Sequence, residues 1–191
     1  MDVDDLDHDP IAQFLAWYEV AGLEGTVCLA TAGADGAPDA RMVLLKGVDD
    51  RGFAFYTNEA SAKGAQIAAN PRAALVFHWS PRQVRVRGRV EAVDDAEADA
   101  YWSTRPRGAQ LGAWASRQSS VIASRIELEA RLAEVAARFS GDVPVPRPPY
   151  WRGYRVVPDE IEFWHHRDDR LHDRVFYRRV DGTWSRARLS P

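Results

Sequence analysis

The stretch QVRVRGRVEAV, residues 83–93, constrains the fold of this 191-residue chain more than any other. Val84, Val86 and Val90 alternate with Arg85, Arg87 and Arg89, and only an extended strand sends alternate side chains to opposite faces. One face is apolar and the other strongly basic. Such a face suits nucleic acid on one reading, and a solvated barrel exterior or an anion-lined interface on another. With 28 acidic against 25 basic residues the chain is slightly acidic, which argues against a general nucleic-acid binder.

The rest of the chain fits around that strand. After Pro10, IAQFLAWYEVAGL places Ile11, Phe14, Leu15 and Tyr18 at helical spacing, with Gly22 as a stop. TVCLATA, DARMVLLKGV and FAFYTN are β-rich runs split by turn residues, Asp35-Gly36 among them, and read as a three-strand antiparallel meander. Ser61 caps a short helix that stops at Asn70-Pro71. AALVFHWS precedes the Val/Arg strand. The period then turns helical, with Val121, Ile126, Leu128, Leu132, Val135 and Phe139 as an apolar stripe. Beyond the Pro-rich connector SGDVPVPRPPYW come GYRVVP, EIEFWHH, RVFYRRV and TWSRARLSP. Strands and helices do not alternate, so the expected fold is mainly β (α+β): an antiparallel barrel with helices at its edges.

No apolar run approaches the roughly 18 residues that cross a bilayer. Residues 1–9, MDVDDLDHD, lack the basic and apolar regions of a secretory signal, so the expectation is a flexible acidic start on a cytoplasmic protein whose single domain spans residues 10–191. Cys28, the only cysteine, reads as buried filler, and no metal site is expected from the five histidines.

The chemistry-bearing side chains lie mostly at strand ends and loops. RMVLLK puts Arg41 and Lys46 at the two ends of an apolar run, on opposite faces if the run is one strand. Lys46 and Lys63 are the only lysines, in a chain that otherwise uses arginine for every basic side chain. With neither a P-loop nor a GxGxxG sequence, a phosphate would have to be held by side chains from several elements.

The segments RMVLLK, FYTN, SAKG, RQVRVRG, YWSTRPRGAQLGAWASRQSS, PPYWRGYRV, IEFW and RLHDR resemble, in order and spacing, the FMN-dependent pyridoxine/pyridoxamine 5′-phosphate oxidases. The resemblance implies an FMN-binding split β-barrel that forms a homodimer, with cofactor sites in the interface built from both subunits. It assigns Arg41, Tyr56, Thr57, Lys63, Gln83, Gln118, Ser119, Trp164 and Arg174 to FMN, with Met42, Val43, Leu44, Leu45 and Lys46 running beside the flavin and Ser61 as a looser candidate. Lys46, Tyr101 and Arg105 match the cradle for the substrate phosphate. Arg170, Leu171 and His172 match the substrate-ring segment, with Arg170 and His172 in the catalytic role. The implied reaction turns pyridoxamine or pyridoxine 5′-phosphate into pyridoxal 5′-phosphate with O2 as acceptor and H2O2 released, without nucleic acid or membrane as partner.

Three departures accompany the resemblance. Ala62 stands where the family usually has a second basic residue, Ala109 stands where a serine contacts the substrate phosphate, and the basic, aromatic lead before the first helix is short. Each lost charge-assisted contact is worth about 1.5–3 kcal/mol. An FMN oxidase of another aromatic ring, as in phenazine-forming relatives, and a noncatalytic flavin- or pyridoxal phosphate-binding protein are the alternative readings.

Overall fold

The computed structural model describes residues 1–21, 25–141 and 143–191; the predicted stop at Gly22 and Asp142 of the connector lie outside them. Among the described residues, nine strands form one antiparallel, curled sheet: β1 (Thr26–Ala32), β2 (Pro38–Leu44), β3 (Gly47–Asp49), β4 (Gly52–Asn58), β5 (Arg72–Trp79), β6 (Arg82–Ala92), β7 (Trp151–His165), β8 (Asp173–Val180) and β9 (Thr183–Arg188). The hydrogen-bonded order is β2-β1-β5-β6-β7-β4-β3, with β8 on the C-terminal half of β7 and β9 beyond it. Helices α1 (Pro10–Ala21), α2 (Ala62–Ala69), α3 (Asp95–Thr104), α4 (Arg107–Ala115) and α5 (Arg125–Arg138) flank the sheet. This is the split-barrel architecture expected.

The Val/Arg alternation holds in β6. Val84, Val86 and Val90 are buried among Phe14, Phe53, Phe77, Ile161 and Phe163. Phe14 is wholly buried, with ring centroids 4.9 Å from Phe53 and 4.8 Å from Phe77. Truncating such a residue costs about 3–5 kcal/mol. On the other face the arginines meet acids: Arg85 pairs with Glu162 at 2.6 Å, Arg87 with Glu160 at 3.0 Å and Arg89 with Glu91 at 2.5 Å. The basic face is therefore laddered with glutamates.

Strand β7 merges two predicted strands into one of fifteen residues. It tolerates Pro158 because the β6–β7 register shifts between Arg87 and Gly88, and a bulge needs no ladder donor there. Gly88 is required at that bulge, since a Cβ would lie 1.9 Å from the Val157 carbonyl oxygen.

Several expectations are corrected. DARMVLLKGV is not one strand: it breaks at Leu45 and Lys46, whose backbone amides donate to the Gly25 and Ala54 carbonyls. Nor do the first strands form a meander, because β4 pairs with β3 and β7 while β1 pairs with β2 and β5. Met42 and Leu44 are 60% and 47% exposed, so the apolar middle of RMVLLK is not buried throughout. Cys28 lies opposite Met42 on the outer face of the sheet, half-buried and outside the core. In α1 the inward stripe is Ile11, Phe14 and Trp17, with Leu15 exposed. Val121 precedes α5 and is fully exposed, and Ile126 is exposed as well.

The acidic start is docked. Asp2 caps a 3-10 turn over Val3–Asp5, Leu6 enters the core, and Arg186 donates to the Val3 and Leu6 carbonyls at 3.1 and 2.9 Å. Arginines of β9 supply the complementary charge that composition alone could not locate.

Candidate active site

A second apolar cluster comprises Trp102, Phe139, Val145 and Trp151, and its Trp151 lines a cavity of about 210 Å³. Tyr56, Tyr101 and Trp151 form a triangle of near-parallel rings, with Tyr56 at centroid distances of 4.3 Å from Tyr101 and 5.1 Å from Trp151. Tyr56 can lie there because its strand partner is Gly153, where a Cβ would come within 2.6 Å of the Tyr56 ring. Arg105 caps the C-terminus of α3, with its guanidinium 5.0 Å from both the Trp102 and Trp151 rings.

Among the described residues, Arg105, Lys63 and Lys46 pair with no carboxylate. Arg105 Nη1 is buried and has no hydrogen-bond partner among them. Burial lowers the Arg105 pKa, with the charge of Tyr101 acting the other way. Lys63 is buried one residue into α2, its Nζ reaching only Ser61 Oγ at 3.5 Å and Gln118 Oε1 at 3.3 Å. Burial, followed by repulsion from Arg41, lowers its pKa below that of free lysine. Lys46 Nζ lies 5.9 Å from the Tyr101 ring centroid. Buried donors without partners carry a desolvation cost that a bound anion would offset.

Thr57 Oγ1 donates to Gln118 Oε1 at 2.9 Å, tying β4 to the segment after α4. Ser61 caps α2, its hydroxyl accepting from the Gly64 amide. Ser61, Gln118 and Ser119 also line a neighbouring cleft of about 570 Å³ that Ala62 and Arg117 share. Arg41 points to the inner side of β2, where it donates to Thr31 at 2.5 Å, Gln66 at 2.9 Å and Asp39 at 2.5 Å. The two cations of RMVLLK thus face different surroundings. Met42, Val43 and Leu44 line the 210 Å³ cavity.

The remaining predicted residues gather elsewhere. Gln83, Trp164 and Arg174 are in register across β6, β7 and β8. Arg174 Nε donates to Glu162 Oε1 at 2.7 Å and its Nη1 to the Ser190 carbonyl at 2.8 Å, and the Glu162 bond raises its pKa. Glu162, only 4% exposed, also receives Arg85. The His172 ring lies 4.6 Å from Trp164, Arg170 is held at φ 61°, and Leu171 is exposed.

These two groups stand at opposite ends of β7. From Gly153, beside Tyr56, to Trp164 is 11 residues, about 36 Å along a strand at roughly 3.3 Å per residue. The lining of the 210 Å³ cavity includes none of Gln83, Trp164, Arg170, His172 or Arg174. Both groups nevertheless reach the outer face, where Met42, Cys28, Val76, Arg85, Glu162 and Phe176 form one row across six strands. Sequence reasoning missed Trp102, Trp151 and Glu162, which hold the arginines. Nothing local marks an aromatic or acid as a partner until the strands pair.

Among the described residues, no helix is long and apolar enough to cross a membrane. Residues 12–139 match the family model described as pyridoxamine 5′-phosphate oxidase, and residues 151–191 match the one described as the pyridoxine 5′-phosphate oxidase C-terminal dimerisation region. A pyridoxine/pyridoxamine 5′-phosphate oxidase of Rubrobacter xylanophilus is 56% identical, over 98% of this chain and 89% of that protein. One from Myxococcus xanthus is 55% identical over 96% of this chain and 92% of its own length. Among solved structures, PhzG from Burkholderia lata 383, in complex with tetrahydrophenazine-1-carboxylic acid, superposes with a TM-score of 0.92 at 32% identity, covering 99% of this chain and 96% of that one. An FMN binding protein of Nostoc punctiforme shares the fold with a TM-score of 0.75 at 20% identity, covering 97% of this chain and all of that one.

Proposed function

The chain is an enzyme of the pyridoxamine 5′-phosphate oxidase family, and from that premise we propose that it binds FMN and oxidises pyridoxamine and pyridoxine 5′-phosphates to pyridoxal 5′-phosphate, with O2 reduced to H2O2. The observation that carries the proposal is the part-buried Arg105 guanidinium, 5.0 Å from each of two tryptophan rings, whose buried Nη1 has no partner among the described residues. Lys46 and Tyr101 line the same cavity and complete a cradle fitted to a phosphate dianion. Lys63, with Gln118 and Arg41 near it, suits a second phosphate, that of FMN.

FMN, when bound, supplies the hydride acceptor and the route to oxygen. The chain's own part is binding and orientation. Arg105, Lys46 and Tyr101 anchor the substrate phosphate and fix where its 4′ carbon lies. Arg170 and His172 orient the pyridine ring, and Trp164 backs the His172 ring. Gln83 and Arg174 serve the flavin from the same strand ends as Trp164. Because these residues lie at the far end of β7, the proposal places them in the partner's site: a cytoplasmic homodimer in which residues 10–191 act as one oxidase domain.

A second reading, oxidation of a phenazine-type ring, draws on the close superposition with PhzG and on Ala109, which offers no hydroxyl to a phosphate. Identity of 56% to an oxidase against 32% to PhzG favours the first. Purified protein should show a bound-flavin spectrum, with pyridoxal 5′-phosphate absorbance and oxygen uptake on adding either substrate. Bound flavin without turnover of either would reject the proposal.

A further inference from the structure

The segment that carries Arg170 and His172 links His165, at the end of β7, to Asp173, at the start of β8. Asp169 and Arg170 both sit in the left-handed region, at φ 54° and 61°. Non-glycine residues hold such a backbone only where the surroundings over-determine it. The His166 amide donates to the Pro81 carbonyl at 2.9 Å and secures one end. Asp173 secures the other.

Asp173 is 8% exposed and collects three cations: Arg167 Nε at 2.7 Å and the Met1 amine at 3.0 Å on Oδ2, and Arg188 Nη1 at 3.2 Å on Oδ1. Burial opposes its ionisation, but these hydrogen bonds outweigh that and hold the carboxyl far below the usual carboxylate range. Arg167 in turn offers its backbone amide to His172 Nδ1 at 3.2 Å. An N–H pointing at Nδ1 needs a lone pair there, so in the neutral imidazole the proton resides on Nε2.

We propose that Asp173 is a positioning residue for His172: by clamping the Arg167 side chain it keeps the Arg167 amide on Nδ1, and His172 presents Nε2–H as a donor to an acceptor on the substrate ring. Asp173 touches no reacting atom in this scheme. The inference rests on His172 being a substrate-ring residue. The tautomer itself is independent of that reading.

The test is nitrogen NMR of the FMN-loaded protein with labelled histidine at alkaline pH, where imidazole is neutral, with His172 assigned by His172→Gln. Wild type should show His172 as the Nε2–H tautomer. In Asp173→Asn and Arg167→Ala the Nδ1–H tautomer should appear, with kcat down about five- to tenfold and FMN affinity unchanged. Arg167 is half exposed, so Arg167→Ala decides the matter if Asp173→Asn does not fold. A wild-type Nδ1–H tautomer, or a tautomer and kcat unmoved in Arg167→Ala, overturns the inference while leaving the oxidase reading intact. The expected tautomer shift in a protein that turns over neither 5′-phosphate would support the Asp173 clamp and remove the oxidase reading instead.

Discussion

Arg105 and Arg174 are both part-buried guanidiniums in the candidate site, one ending α3 and one on β8, and their surroundings are opposite in kind. Arg105 packs against tryptophan faces with a buried nitrogen unpartnered, and burial lowers its pKa. Arg174 is bonded to a buried glutamate and a C-terminal carbonyl, and its pKa is raised. A cation left without an anion inside a protein is a cost that a ligand can remove, whereas a cation braced by a carboxylate is already part of the fold. The Arg105 end is therefore built to gain a charged group, and the Arg174 end to hold a fixed shape against one.

The largest test of this contrast is stability. Glu162→Gln leaves Arg85 and Arg174 without their shared carboxylate. It should cost about 2–3 kcal/mol, less than a fully buried pair because both arginines are part exposed, and lower Tm by roughly 5–10 °C. Arg105→Met, which removes an unpaired charge and keeps the stem, should leave the flavin-free Tm unchanged or higher. Equal losses in the two variants would erase the distinction.

Ligand binding should invert that order. Arg105→Met should raise KM for the 5′-phosphate substrates roughly 10- to 100-fold, the worth of one charge-assisted contact, with FMN affinity unaltered. A matching loss of flavin in a titration would show that Arg105 faces the other phosphate.

Lys63 sharpens the comparison through pH. Its folded pKa is depressed, so it loses its charge at a lower pH than free lysine, and FMN affinity should fall as pH rises through that depressed value. Lys63→Arg keeps its charge across the range. Flavin titrations should therefore give a falling alkaline limb in wild type and a flatter one in the variant. The smallest expected effect is a gain: Ala109→Ser adds one hydroxyl for the substrate phosphate and should tighten substrate about tenfold, the low end of a charge-assisted contact at roughly 1.5 kcal/mol.

What could be read in advance follows the same division. The Val/Arg alternation of β6, the Ser61 cap and the helical stretches are local patterns, and the structure keeps them. The break at Leu45-Lys46 was hidden because four consecutive apolar residues suit a strand, and only the Gly25 and Ala54 carbonyls on other segments end it. The pairing of β4 with β7 joins residues about a hundred apart, which no local period encodes. Candidate site residues with unusual local context, such as Lys46 and Lys63, stood out from the sequence. Their neighbours Trp102 and Trp151, and the braces Glu162 and Asp173, did not, because each acquires its partner only on folding. The contacts of residues 1–9 depend on distant partners in the same way, their arginines lying in β9.

The central claim is that the two ends of β7 form one site only across two chains. It is tested most directly by mixing two variants, Arg105→Met, weakened at one end, and His172→Ala, disabled at the other, exchanging their subunits and assaying with substrate well below KM, where the raised KM of Arg105→Met leaves it nearly inactive. Random exchange makes half the dimers mixed, each with one intact site, so activity should return to about a quarter of wild type. No recovery despite demonstrated subunit exchange would contradict the account and return both ends of the site to a single chain.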